Sequence, residues 1–171
     1  MAVAAEGLHE QSRHGLPERH RQFVPLIAAV ERAERSAEEG RVIRPSETLT
    51  IHDAFAHGLI PHAVGEGRTL FPVLRQITGS DRETAEMTRE HREIARLTDD
   101  LERIASERPS ANRERALRSV MHDLRATVES HFEEEEAVCF RILSQELPPE
   151  EARSICDAME RAATDLRGLY E

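Results

Sequence analysis

One constellation is written twice in this chain. A histidine is followed some forty residues on by His-x-x-x-Glu: first His20, then His62 with Glu66; and again His91, then His131 with Glu135. From the first copy to the second, the three positions shift by 71, 69 and 69 residues. In a helix, positions i and i+4 share one face, about 5–6 Å apart. Each His-Glu pair can therefore point into one cavity. A helical hairpin used twice satisfies this spacing, with four imidazoles and two carboxylates converging inside the bundle as a two-metal centre.

A single His-x-x-x-Glu carries little weight. Nine histidines and 26 glutamates in 171 residues supply one or two such pairs by chance. His14 and Glu18 are the chance pair, with Pro17 between them at an expected helix start. The other two pairs differ because each falls on the apolar stripe of a long amphipathic segment.

A chain of 171 residues is long enough to bury one sizeable core. One third of the residues are charged, only 4% are aromatic, and Trp is absent. That balance favours helices over sheets. The formal net charge of −10 argues against nucleic acid or an anionic membrane surface as partner. No run of eighteen apolar residues occurs, so no membrane span is expected. Met1 to Gly15 lacks the basic start and apolar stretch of a signal peptide. Cys139 and Cys156 form neither a metal-binding spacing nor a disulfide framework. These features fit a cytoplasmic protein.

Punctuation along the chain predicts five helices. Residues 1–15 read as a flexible tail, 16–147 as the bundle, and 148–171 as a short helix packed on it. Pro17 opens the first helix, which ends at Gly40 with His20, Phe23, Ile27, Val30 and Ala37 inward. Pro25 should bend it. Arg44-Pro45-Ser46 opens the second, with Leu49, Phe55, Leu59, His62, Glu66, Val73 and Ile77 inward. Gly58, Pro61, Gly65 and Gly67 weaken its middle and predict a kink or bulge beside the ligands. Gly79 ends it. Ser80 with Glu83 reads as a capping box for the third helix, whose stripe is Met87, His91, Ile94, Thr98, Leu101 and Ile104. Arg108-Pro109-Ser110 breaks the chain again. The fourth helix carries Leu117, Val120, Leu124, Val128, His131, Glu135, Val138 and Ile142, and ends at Leu147-Pro148-Pro149. The fifth turns Ile155, Met159, Ala162 and Leu166 inward. The expected fold is all-α: an up-down-up-down four-helix bundle with a C-terminal appendage.

Four imidazoles and two carboxylates suit iron, manganese, cobalt or zinc. A glutamate can bridge two ions about 3.5–4 Å apart. Iron with an oxo or hydroxo bridge would keep open positions for redox chemistry with a small gas or peroxide. Other divalent metals fit the same donors.

These motifs resemble the hemerythrin-like, or HHE cation-binding, domains, over roughly residues 16–147. The flanking text agrees: His62-Ala-Val-Gly-Glu66 runs on to Leu70-Phe71-Pro72, and His131-Phe-Glu-Glu-Glu135 to Cys139-Phe140. The resemblance implies a non-haem di-iron centre on His20, His62, Glu66, His91, His131 and Glu135. Oxygen-carrying members have His-x-x-x-His on the third helix, whereas here Ala95 follows His91. The chain is therefore closer to the four-histidine branch, which includes bacterial proteins linked to repair of iron centres under nitrosative stress. With Ala95, both irons could stay open, favouring a ligand that spans them. A pseudo-two-fold repeat allows two partitions of the histidines: His20 with His62 facing His91 with His131, or His20 with His131 facing His62 with His91. The family resemblance is read as favouring the second.

The remaining titratable groups have plainer readings. His52 sits about 15 Å along the helix from His62, as a bundle-end residue. His57 and His122 face solvent, and His9 and His14 belong to the tail. Glu133 to Glu136 form a solvated face, with Glu135 the inward exception. Cys139 packs as a small apolar residue, and Tyr170 is too terminal to approach a metal. The expected function is binding of, and reaction with, peroxide, nitric oxide or dioxygen, with an electron donor that the chain does not identify. The alternative is a non-catalytic module that binds, stores or senses oxygen, nitric oxide or iron. A sensor would need a partner domain, and none is visible in this sequence. A metal-stabilised scaffold without turnover is the dullest reading.

Overall fold

A short 3-10 turn, Arg21–Phe23, leads into α1 (Val24–Glu38). The second helix, α2, runs Pro45–Ala54, then a π-turn at Phe55–Leu59, then Ile60–Thr78. After it come α3 (Arg82–Ala105) and α4 (Ala111–Glu135, a π-turn at Glu136–Phe140, and Arg141–Glu146). The last is α5 (Pro149–Arg167). These elements come from a computed structural model that describes residues 19–168. The expected 1–15 tail, the Pro17 helix start, His9, His14 and Tyr170 lie outside the described residues. No strand occurs among the described residues, and no helix is long and apolar enough to cross a membrane.

Local chemistry explains most boundaries. Pro25 has no N–H to offer the carbonyl of Arg21. The turn tightens instead, and the Val24 N–H donates to that carbonyl. Pro25, expected inside the helix and bending it, instead sits in the first turn of α1, directly after the 3-10 turn. At the start of α2, the Glu47 carboxylate accepts the backbone N–H of Arg44 at 3.0 Å. Gly79 closes the helix in the left-handed conformation, φ 68°, which costs glycine no Cβ clash. Ser110 caps α4 by accepting the Arg113 N–H at 3.1 Å. The expected Ser80/Glu83 capping box is not formed. α3 starts one residue later, after Asp81, and Ser80 Oγ accepts the Arg82 N–H instead.

The bulge expected in α2 is the π-turn just before His62. Pro61 leaves the carbonyl four residues back without its helical donor, and the Ile60 N–H reaches Phe55 O. A π-turn holds one extra residue, so the stripe changes phase there. Upstream, Thr48 and Ile51 are buried while Leu49, expected inward, is exposed. Downstream, Leu70, Phe71 and Leu74 form the inner face, and Val73 and Ile77 are only half-buried. The π-turn in α4 has no glycine or proline to announce it.

α1 packs on α2 and α4, and α3 packs on α2 and α4, closing the ring of an up-down-up-down bundle. The core is split in two. One cluster joins Phe23, Val30, Phe55, Leu59, Ile94, Leu101, Leu124 and Val128. The other joins Leu70, Phe71, Leu74, Met87, Cys139, Ile142, Cys156 and Met159. His62 and Glu66 lie between Leu59 and Leu70, His91 between Met87 and Ile94, and His131 and Glu135 between Val128 and Cys139. The polar layer thus separates two apolar compartments.

Among the described residues α1 serves only the first compartment, since the turn ahead of it lies at the level of His20. α5 walls the second, packing along α2. It is therefore more than the expected appendage. Its buried seam is Cys156, Met159 and Ala163, while Ile155, Ala162 and Leu166 are half-buried. The seam is narrow because α5 approaches α2 closely at Gly65, where a Cβ would stand 2.7 Å from the Met159 carbonyl oxygen. At the far end of the first compartment lies Arg113, the largest fully buried side chain. Its Nε donates to Ile104 O and its Nη1 to Glu114, joining the end of α3 to α4.

Candidate metal centre

Four elements deliver the six side chains. His20 comes from the helical turn ahead of α1, His62 and Glu66 from α2, His91 from α3, and His131 and Glu135 from α4. The structure brings all six together. Five are buried, both carboxylates completely, and His91 keeps 13% of its side chain exposed.

The donors fall into two overlapping groups. His20, His62 and Glu66 form one, and Glu66, His91 and His131 the other, each with its donor atoms within 4.8 Å of one another. Glu66 spans them: Oε1 is 2.6 Å from His62 Nε2 and Oε2 is 3.1 Å from His91 Nε2. Glu135 lies outside both groups but approaches each, with Oε2 3.1 Å from His20 Nε2 and 3.7 Å from His131 Nε2. His91 Nε2 and His131 Nε2 stand 3.0 Å apart. Two donors about 2.1 Å from one ion and at right angles to each other lie about 3 Å apart. The observed separations have that size.

This grouping corrects the expected partition. His20 pairs with His62, and His91 with His131. Each histidine pair belongs to consecutive helices of one repeat, and the carboxylates tie the repeats together.

Hydrogen bonding tests whether cations fit. Both oxygens of Glu66, both oxygens of Glu135, both nitrogens of His62 and Nε2 of His20 are buried without a hydrogen-bond partner. The close nitrogen and oxygen atoms are not aligned as donor and acceptor. A buried carboxylate left in that state is costly, by several kcal/mol on the order of magnitude known for such groups. Cations placed among these lone pairs would remove the cost. The donor set therefore fits a divalent metal centre.

Electrostatics points the same way. Burial acts to raise the Glu66 pKa, yet His62 and His91 hold it well below the ordinary carboxylate range. Burial acts to lower His20, but Glu135, Glu66 and Glu136 outweigh it and raise its pKa. His131 is likewise lowered by burial and raised further by Glu90, Glu135 and Glu66. The carboxylates create a demand for positive charge that protons or metal ions can meet. Cys139 does not join them. Burial, then the Glu135 and Glu66 charges, push its thiol well above its ordinary value. Its Sγ rests 3.6 Å from Met87 Sδ, in the second core.

Rings fix the ligand planes. Phe132 stacks on His20 with centroids 4.0 Å apart, Phe71 stacks on His91 at 5.3 Å, and Phe23 meets His62 edge-on at 5.1 Å. Two further residues touch the ligands and were missed by sequence reasoning. Glu136, read as part of a solvated face, reaches His20 Nδ1 at 2.9 Å. Glu90 reaches His131 Nδ1 at 3.0 Å. Their one available signal was adjacency in the chain, Glu90 to His91 and Glu136 to Glu135. His52 bonds Asp53 away from the centre, and His122 is exposed beside Glu34. His57 is exposed within the π-turn.

The profile of the hemerythrin HHE cation-binding domain matches residues 12–143, and again residues 84–170. The overlap of the two matches is consistent with a hairpin written twice. No curated protein and no solved structure matches the chain.

Proposed function

The chain belongs to the hemerythrin HHE cation-binding family, and we propose that it holds two iron ions and reacts with a small oxidant: peroxide, nitric oxide or dioxygen. One observation carries the reading. Four carboxylate oxygens lie buried and unpartnered among four imidazoles. In this reading His20 and His62 hold one ion, His91 and His131 the other, and Glu66 and Glu135 bridge them. Other divalent metals fit the same donors.

Bound iron would supply a redox couple and open coordination positions. The chain's own residues supply the rest. The two glutamates balance cationic charge in a site without bulk water. Phe23, Phe71 and Phe132 hold the imidazoles in plane and line the centre with apolar surface. Such walls admit a small neutral molecule more readily than a charged substrate. Reversible binding of oxygen, nitric oxide or iron without turnover is the alternative.

Anaerobic iron loading, followed separately by oxygen, peroxide and nitric oxide, tests both. The expected result is two ions per chain and repeated fast turnover of peroxide or nitric oxide. A reversible oxygen band without turnover would replace the enzyme reading with the carrier one. One ion per chain would overturn the two-ion centre. Chelation should also lower the melting temperature, because metal stabilises only the folded state. An unchanged transition after verified metal removal would contradict that.

Ala95 lies one turn past His91 and is half-buried. Ala95→His is expected to add a fifth imidazole to the ion held by His91 and His131. Turnover should then fall sharply while metal content holds at two. Coordination by the new imidazole, read spectroscopically, comes first. If it coordinates and turnover is undiminished, the requirement for two open ions is wrong.

A further inference from the structure

The two carboxylates behind the ligands break the symmetry of the repeat. Glu136 accepts the His20 Nδ1–H at 2.9 Å, and Glu90 accepts the His131 Nδ1–H at 3.0 Å. His20 and His131 are not equivalent in the duplication, since His20 corresponds to His91 and His62 to His131. At the repeat offsets, Glu90 corresponds to Arg19 and Glu136 to Gly67. Gly67 offers no side chain. Arg19 turns away from the centre, its Nη2 donating to Asp157 on α5 at 2.8 Å. Duplication alone therefore does not account for the pattern. Each histidine pair nonetheless has one member anchored from behind. In the first pair it is His20, while His62 Nδ1 is buried with no partner. In the second it is His131, and His91 rests against the ring of Phe71.

We infer that Glu90 and Glu136 are positioning residues, each governing one of the two ions. The inference rests on the two-ion reading above. Accepting the Nδ1–H fixes the tautomer, so that Nε2 presents its lone pair inward. It also fixes the ring's rotation and makes the imidazole a stronger donor. His20 Nε2 is thereby aimed at the Glu135 side, 3.1 Å from Oε2, and His131 Nε2 at the His91 side, 3.0 Å from its Nε2. Glu136 controls the ion held by His20 and His62. Glu90 controls the ion held by His91 and His131. Side-chain exposure is 37% at Glu136 and 12% at Glu90.

The test is an anaerobic iron(II) titration of the full chain against a competing chelator, with metal-free melting measured alongside. Glu90→Ala should weaken one of the two ions by about 10–100-fold and leave the other near the parent value. Glu136→Ala should do the same to the opposite ion. Anomalous diffraction at one iron equivalent should show the surviving ion at His20 and His62 in the first variant, and at His91 and His131 in the second. Glu90→Gln and Glu136→Gln keep an acceptor oxygen for the Nδ1–H and should recover most of the affinity. Metal-free melting should stay near that of the parent in all four variants. Parent-like affinity for both ions in both alanine variants would overturn the inference and leave the two-ion reading intact. So would equal weakening of both ions without rescue by glutamine, which would mark a general structural role. A parent that fails to bind two ions would refute the two-ion reading, and this inference with it.

Discussion

Glu66→Gln is expected to abolish the uptake of both ions at once. Glu66 is wholly buried and faces each histidine pair with a different oxygen, 2.6 Å from His62 and 3.1 Å from His91. A carboxamide keeps the shape but turns one of those oxygens into a donor and removes the charge. Neither ion then has a bridging anion on that side. Iron content should fall from two per chain to below one under conditions that saturate the parent. Glu134→Gln, at an exposed position of α4, should retain two. Stability should follow. Metal-free Glu66→Gln, melted beside the metal-free parent, separates the loss of the Glu66 charge and its His62 and His91 partners from the loss of metal. With metal present it should lose the stabilisation from binding, about 2.7 kcal/mol per ion at a hundredfold excess over Kd. Metal analysis and paired melting curves check this. A variant that keeps both ions would show that Glu66 bridges nothing.

The second large effect is a contrast between two glycines. Gly65→Val places a Cβ 2.7 Å from the Met159 carbonyl oxygen and 3.4 Å from the Ala163 nitrogen. Both are backbone atoms of α5 and cannot swing aside, so the helix must shift away from the second core. Overpacking of this kind costs about 3 kcal/mol, or ~6–12 °C of melting temperature for a chain of this size. Gly67→Val, two residues along the same helix, meets nothing within 4 Å. It should change the melting temperature by no more than ~2 °C. Equal effects at the two positions would refute close packing of α5 against α2. Gly65 also adjoins Glu66, so a parallel loss of metal from Gly65→Val would tie the seating of α5 to the centre.

What was legible in the sequence follows from what is local. Pro45, Gly79, Ser110 and the Pro148-Pro149 pair act within a turn of themselves, and the helices start and stop where they stand. The six converging side chains could be read because the repeat recorded their spacing twice. The partition of the histidines could not. It depends on how helices distant in sequence set their registers, and both arrangements obey the repeat. Leu49 lies off the buried face because a π-turn that begins six residues downstream changes the phase of the stripe. Glu90 and Glu136 escaped notice because they lie beside ligands in the chain but off the apolar stripe, and each reaches a histidine on another helix. The closeness of α5 to α2 is not legible in the chain, because it rests on the Met159 carbonyl and Ala163 lying against Gly65, an approach that only the packed helices reveal.

Anomalous diffraction at the iron edge from crystals of the loaded protein tests the central claim most directly. Two peaks are expected per chain, about 3.5–4 Å apart. One should lie within bonding distance of His20 Nε2 and His62 Nε2, the other of His91 Nε2 and His131 Nε2, with Glu66 and Glu135 touching both. A single peak, or two peaks that share the histidines as His20 with His131 and His62 with His91, would contradict it.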